Sequence, residues 1–518
     1  MRLRRGLLAA CSGLLVTVSG CTAFSDTLSQ ESAADTAAAT PTEAPVADID
    51  WTDCDAEIEQ LVADQDGADR DLAFECGRTE VPISYEEPEG ATLPLFLVRA
   101  RAAGQTDRIG SLLVNPGGPG GSGADAAIGL SLTLPEEVLG RFDLVGFDPR
   151  GVGLSTPIEC ISSEVKDRMV AADPQPVTVS EVDAAFELAE TVSAECEEEY
   201  GEALGAFNTV DTARDMDRLR QALGDEQLSY LGYSYGTTLG STYAELFPEN
   251  VRAMVLDAAV DPDLDQVAHA EAQAAGFEDA FDAFAADCRE LVAACPVSEK
   301  PRAFLQAVLD QAAAEPIPSA EEGETRTATP GVVMTAVVAA LYDTNSWPQL
   351  AQGLAAARKG DAQDLFSLAD SYSGRLDDGS YSNLFDANIA INCADNEETV
   401  PEERVRALVA EWSAEYPLFG ASSAVSLYTC SAWDAPRTPL PERDAGGSAP
   451  ILVIGTEGDP ATPLEGAVDL AEQLEAGRLL TWQGEGHTAY PKTDCVTEAV
   501  NTYLLQGTPP LDGLTCPA

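Results

Sequence analysis

The apolar positions of this chain fall into short continuous runs rather than an alternating pattern, and helical stretches separate the runs. Leu93 to Ala100 reads as a strand, and Ile109 to Asn115 as a buried one. Phe142 to Asp148, Leu228 to Leu231, Ala253 to Asp257, Ile451 to Gly455 and Arg478 to Trp482 continue the series. Runs of this kind bury both faces, which requires helices above and below a mostly parallel sheet. From Asp261 to about Pro450 the apolar residues take helical spacing instead, as in His269 to Phe277 and Val332 to Leu341. So long a helical insertion between two sheet strands predicts a cap over the strands' carboxyl ends, where open α/β sheets bind ligands.

The N-terminus predicts export. Arg2, Arg4 and Arg5 precede an apolar stretch, Leu7 to Val18, too short to span a bilayer. Val18-Ser19-Gly20-Cys21 resembles the lipobox of bacterial lipoproteins, so acylation of Cys21 would tether the mature protein outside the cell. An ordinary signal peptide cut at another small residue is the alternative. The expected division is a signal over 1–20, a disordered tether rich in Ala, Thr and Pro over 21–48, and core over 49–262. A helical cap over 263–448 and a second core segment over 449–518 complete it. No other stretch has the roughly eighteen uninterrupted apolar residues of a spanning helix, so membrane attachment is expected through the lipid alone.

Composition narrows the partners. The 518 residues carry a formal charge of -59, from 29 Lys and Arg against 88 Asp and Glu. Such a surface repels nucleic acid and favours solubility and cationic ligands; a plain solvated surface accounts for most of it. Of 12 cysteines, Cys11 lies in the signal and Cys21 is the lipidation candidate. An even set remains, which in an exported protein argues for disulfides. The expected pairing follows sequence order: Cys54–Cys76, Cys160–Cys196, Cys288–Cys295, Cys393–Cys430 and Cys495–Cys516. There is no C-x-x-C and there are only two histidines, so neither metal nor other cofactor is expected.

The chemistry centres on Gly232-Tyr233-Ser234-Tyr235-Gly236, a G-x-S-x-G between a strand and an opening helix. That turn lifts a serine hydroxyl above the sheet edge, and its glycines remove side chains that would clash. Ser234 is the candidate nucleophile. In this arrangement an acid and then a histidine follow the serine along the chain. His487, in a glycine-loosened loop after the last strand, is the candidate base; His269, in the first cap helix, reads as a surface or packing residue. Asp459 is the candidate acid, with Asp257 and then Glu457 as rivals. The oxyanion hole calls for two backbone N–H groups: that of Tyr235 and one from the loop Asn115 to Gly123, at Gly117 or Gly118. A phosphate loop is the competing reading of those glycines, but no Gly-Lys-Ser/Thr is present.

These residues resemble the α/β-hydrolase branch of proline iminopeptidases and secreted tripeptidyl aminopeptidases. Pro116 to Gly121 resembles its H-G-G-P-G-G loop, with Pro116 in place of His. Asp148 to Ser155 resembles its D-x-R-G-x-G-x-S turn, and Ser234, Asp459 and His487 fall at its triad positions. The resemblance implies an α/β-hydrolase fold with a large helical cap inserted before the acid-bearing strand. It also implies an exopeptidase that removes short peptides from free N-termini, with cap carboxylates holding the substrate ammonium; Asp395 and Glu397 are the candidates. Neither peptide length nor oligomeric state is specified. A carboxylesterase of the same fold is the alternative, and a catalytically dead binding lipoprotein a third reading. An epoxide- or haloalkane-type hydrolase would carry Asp where this chain has Ser234.

Overall fold

The computed structural model describes residues 46–518, apart from 64, 262, 263, 291–294, 298, 322 and 398. The signal, Cys21 and nearly all of the tether lie outside these residues. Among the described residues no helix is long and apolar enough to cross a membrane.

Strands β4 (Gly110–Asn115), β5 (Phe142–Phe147) and β6 (Leu228–Tyr233) are buried at every position. This is why they appear in the sequence as mainly apolar runs without alternation, with Ser111, Asp143 and Ser229 as buried exceptions. With β1 (Asp50–Asp53), β2 (Leu72–Pro82), β3 (Thr92–Ala102), β7 (Val251–Asp257), β10 (Ile451–Gly458), β11 (Gly477–Glu485) and β12 (Leu514–Pro517) they make one ten-stranded sheet. The order is β1-β2-β3-β5-β4-β6-β7-β10-β11-β12. The first three strands are antiparallel, and from β5 onward every pairing is parallel. A short ribbon of β8 (Ile317–Pro318) and β9 (Thr327–Ala328) stands apart.

The strand order places the site. After β4 the chain crosses to β5 on one side, whereas β6 lies on the other side and leads on to β7. The carboxyl ends of β4 and β6 therefore flank a topological switch point, where the loops part and leave a crevice. The glycine loop follows β4, and Ser234 follows β6.

Nine α-helices between Gln266 and Ser431, among the described residues, form the helical layer between β7 and β10, with a core of its own around Phe281, Phe284, Val333, Leu350 and Leu365. A second insertion joins it. Helices Ser163–Ala171 and Val179–Tyr200, between β5 and β6, bury Ile158, Val165 and Cys196 against Ala390, Cys393 and Trp433. This segment lies within the stretch 49–262 expected to be core. In the structure these helices pack on the helical layer, through Val165 and Cys196 among others. The five cysteine pairs are joined in the order expected, Cys160–Cys196 and Cys393–Cys430 among them, with Cα separations of 4.6 to 5.8 Å.

The Asp148 turn ties these parts together. Asp148 accepts hydrogen bonds from the Ser122 hydroxyl at 2.6 Å and from the N–H groups of Ala124 and Leu154 at 3.2 and 2.8 Å. It thereby fixes the helix that begins after the glycine loop. Arg150, wholly buried, makes two hydrogen bonds to Asp215 at 2.8 and 2.7 Å and caps the carbonyls of Pro82, Ile83 and Ala206.

Candidate active site

Ser234 sits between β6 and helix Tyr235–Leu246 with φ 55° and ψ -126°. That conformation costs a non-glycine residue on the order of 1–3 kcal/mol, so its surroundings must hold it. The Ser234 N–H donates to the Asp257 carbonyl at 2.9 Å, and the Thr237 N–H and hydroxyl donate to the Ser234 carbonyl at 2.7 and 2.6 Å. A Cβ on Gly232 would stand 2.4 Å from the Gly236 carbonyl oxygen, so the bend itself demands that glycine. Tyr235 opens the helix, and its N–H has no intrahelical carbonyl to meet.

His487, in the loop after β11, has Nδ1 at 2.9 Å from both carboxylate oxygens of Asp459, which stands after β10. Asp459 is buried, and its Oδ1 also accepts the N–H groups of Ala461 and Thr462 at 3.0 Å. A carboxylate so placed keeps the imidazole proton on Nδ1 and leaves Nε2 as the basic nitrogen. The Thr462 hydroxyl lies 3.5 Å from the same Nδ1.

Asp257, the first rival for the acid, does a different job. It accepts the N–H of Ala489 at 3.0 Å and that of Tyr490 at 2.7 Å, bracing the loop that carries His487. Burial pushes its carboxyl up to about 6, against the pull of those N–H groups. Glu457 is exposed and accepts a hydrogen bond from the Gln483 amide at 3.1 Å.

The helical layer reaches His487 directly. Tyr342, just after helix Pro330–Leu341, accepts the His487 N–H on its carbonyl at 2.8 Å. Its ring meets the imidazole edge to face at 5.0 Å. Nothing in the sequence around Tyr342 signals this contact, because it joins two loops far apart in the chain.

In the glycine loop, Gly117 has φ +95°, and a Cβ there would meet the Tyr233 carbonyl oxygen at 2.5 Å. Its N–H is taken by the Asn115 side chain at 3.0 Å. Of the two glycines expected to offer a donor, Gly118 is the one whose neighbourhood lines the cavity above Ser234.

That cavity measures about 190 Å³ and is lined by Ser234, Gly118, Tyr235, His269, Asp395 and Arg443, among others. His269 thus faces the site rather than the surface, and burial holds its imidazole below the ordinary value. Asp395, at the end of helix Leu384–Asp395, accepts the Thr209 N–H at 2.9 Å and the Thr209 hydroxyl at 2.6 Å. Burial pushes its carboxyl up to about 7, although Thr209 and the nearby Arg443 charge favour ionisation. Glu397 is exposed and is not part of the lining.

A larger cavity of about 610 Å³ shares Val260, Asp261, Leu264, His269, Gln273 and Thr462 with the first. Its lining includes Asp279, Glu457, Glu465, Asp469 and Glu485 and no lysine or arginine. Among the described residues no group of His, Cys, Asp and Glu side chains is arranged to hold a metal ion.

Comparison with known proteins supplies the context. The sequence profile of the family described as the alpha/beta hydrolase fold matches residues 110–492. Serine protease Hip1 of Mycobacterium tuberculosis is 39% identical over 486 residues, covering 90% of this chain and 91% of that protein. Carboxylesterase B of the same organism is 36% identical over 460 residues, with coverages of 85% and 86%. A tripeptidyl aminopeptidase of Streptomyces lividans is 32% identical over 485 residues, with coverages of 91% and 87%.

Proposed function

Because this chain belongs to the α/β-hydrolase family and is a serine hydrolase within it, we propose that it is an exported aminopeptidase that releases short peptides, of tripeptidyl type, from free N-termini. One observation carries the reading. The cavity of about 190 Å³ that holds Ser234 is also lined by a partly buried carboxylate, Asp395, at the end of a helix of the inserted layer. A small cavity with an anion in its wall suits a chain end bearing an ammonium, which has to be paired once it is buried. The relatives named as a serine protease and as a tripeptidyl aminopeptidase support the same direction.

In this mechanism the Ser234 hydroxyl attacks the scissile carbonyl while His487 Nε2 takes its proton. The resulting oxyanion lies against the N–H groups of Tyr235 and Gly118. Asp459 keeps the imidazole oriented and stabilises it when it becomes cationic, without taking the proton. His487 then protonates the departing amine as the carbon–nitrogen bond breaks, leaving an ester on Ser234. A water, deprotonated by His487, attacks that ester, and the short peptide leaves as a carboxylate while Ser234 regains its proton. Asp395 holds the substrate ammonium, and the acidic larger cavity favours cationic groups around the entrance. Acylation of Cys21 would keep the enzyme on the outer face of the membrane, within reach of extracellular peptides.

The relative named carboxylesterase B favours a second reading, with esters in place of peptides. Parallel turnover of a tripeptide naphthylamide and a p-nitrophenyl ester separates the two. Because p-nitrophenolate leaves more readily than an arylamine, a peptidase cleaves the ester too, and it is cleavage of the amide that marks it; ester turnover without amide cleavage overturns the proposal.

A further inference from the structure

Thr209 is buried at the start of helix Thr209–Ala222 and holds both oxygens of Asp395, one with its N–H and one with its hydroxyl. The same hydroxyl oxygen makes a short hydrogen bond with the Tyr235 hydroxyl. Tyr235 follows Ser234 directly, and its ring is buried. Three side chains from three distant parts of the sequence thus form a continuous chain. It runs from the carboxylate in the cavity to the residue whose backbone N–H faces the reacting carbonyl.

We propose that Thr209 and the Tyr235 hydroxyl form a positioning relay, which couples capture of the substrate ammonium at Asp395 to alignment of the Tyr235 N–H at the oxyanion. The proposal rests on the reading of Asp395 as the amino-terminal anchor. A threonine hydroxyl has one proton to give. When Asp395 is ionised that proton goes to the carboxylate, so the Tyr235 hydroxyl must donate to Thr209. The hydrogen bonds then point one way, from Tyr235 through Thr209 to the anion, and each strengthens the next. When Asp395 is protonated it no longer demands a donor, and the direction of the chain is lost.

A substrate ammonium beside Asp395 keeps the carboxylate charged and so keeps the chain directed. The Tyr235 ring is then fixed at its far end, and with it the first peptide of the helix that carries the oxyanion donor. Preorganisation of such a donor lowers the barrier to attack and does little for ground-state binding. The relay therefore acts on kcat, and only for substrates that offer an ammonium. N-acetylated peptides engage Ser234 without engaging the relay. This separates Thr209 from a residue that merely packs.

The test compares kcat for a tripeptide naphthylamide and its N-acetyl derivative. Thr209→Val, which removes the hydroxyl at nearly constant shape, is expected to lower kcat on the free peptide about tenfold while lowering it on the acetylated peptide by about twofold or less. Thr209→Ser is expected to restore the wild-type ratio. Thr209→Val combined with Asp395→Asn should be no slower on the free peptide than Asp395→Asn alone. Tyr235→Phe, which removes a single oxygen, gives the same comparison if the valine variant fails to fold. Equal losses on both peptides would assign Thr209 to packing and overturn the relay. If Asp395→Asn erases the preference for free peptides while Thr209→Val keeps wild-type kcat, the anchor stands and the relay falls. If Asp395→Asn leaves that preference intact, the anchor reading fails and the relay with it.

Discussion

Tyr342 grips His487 from the helical layer, through a 2.8 Å hydrogen bond from the histidine N–H to the tyrosine carbonyl and through edge-to-face packing of the two rings at 5.0 Å. His487 is therefore held by three parts of the molecule at once. Asp459 orients the imidazole, Asp257 fixes the backbone just beyond it, and Tyr342 closes over the ring. The helical layer therefore takes part in holding His487.

That relationship gives the first expectation. Tyr342→Ala opens space beside the imidazole and should lower stability by about 3–5 kcal/mol, with kcat falling about 10–100-fold as the ring loses its wall. Tyr342→Phe keeps the ring and the carbonyl, and should cost about 1 kcal/mol with kcat close to wild type. Thermal unfolding and single-substrate kinetics on the two variants check this. Equal kinetic losses in both would point to the hydroxyl and away from the ring.

Ser234→Ala should abolish labelling by a fluorophosphonate probe and lower kcat roughly 10⁴-fold or more, with unfolding unchanged. Asp459→Asn should cause a loss of similar size, on the order of 10⁴, because the imidazole tautomer is no longer held. Asp257→Asn should cost far less in kcat and more in stability, since it removes a brace. A larger kinetic loss at Asp257 than at Asp459 would exchange their roles.

Asp395 links activity and stability to pH with opposite signs. An unfolded aspartate titrates near 3.8, whereas the buried Asp395 holds its proton up to about 7. Between those values the native state binds more protons, so stability falls as pH rises through the interval. Asp395→Asn should therefore raise stability at pH 8 by about 1–3 kcal/mol and leave it nearly unchanged at pH 4. Binding an ammonium needs the ionised form, so the ratio of kcat/KM for free over acetylated peptide should drop below about pH 7. It should drop again above about pH 8, as the peptide amine itself loses its proton. Thermal unfolding at the two pH values and the pH profile of that ratio test both signs. A flat ratio between pH 5 and 7 would remove Asp395 from recognition.

The Cys393–Cys430 bridge ties helix Leu384–Asp395, which presents Asp395, to the short helix Tyr428–Ser431. Loss of one such bridge costs about 2–4 kcal/mol. A Cys393→Ser, Cys430→Ser variant should melt at lower temperature and show a higher KM for free peptides, with fluorophosphonate labelling retained. Unchanged KM would mean that the helix end is held without the bridge.

Much of this architecture was legible in the sequence because parallel, doubly covered strands are written as apolar runs. β4, β5, β6, β7, β10 and β11 were each marked that way, and the turn at Ser234 by its glycines. β2 was not, because charged Glu75, Arg78 and Glu80 interrupt it where the antiparallel edge of the sheet reaches solvent. β12, with four residues, is too short to carry a pattern. The part of the helical layer contributed by residues 163–200 was hidden for another reason: buried positions such as Val182, Phe186, Ser193 and Cys196 recur at helical spacing, which marks a covered face and does not say what covers it. The same limit applies to the site. Ser234, Asp459 and His487 follow a local order along the chain, whereas Thr209, Asp257 and Tyr342 act through contacts that only the fold creates. His269 read as peripheral because neighbouring alanines say nothing of the cavity they border.

Cleavage of one peptide library with free and with N-acetylated ends, read by mass spectrometry, tests the central claim most directly. An ammonium paired with Asp395 in the cavity beside Ser234 should make the free peptides better substrates by at least ~100-fold in kcat/KM, equivalent to roughly 2.7 kcal/mol of transition-state binding. The products should be short N-terminal fragments, and Asp395→Asn should narrow the gap. Equal cleavage of free and blocked peptides, or cuts in the middle of long ones, would contradict the aminopeptidase assignment.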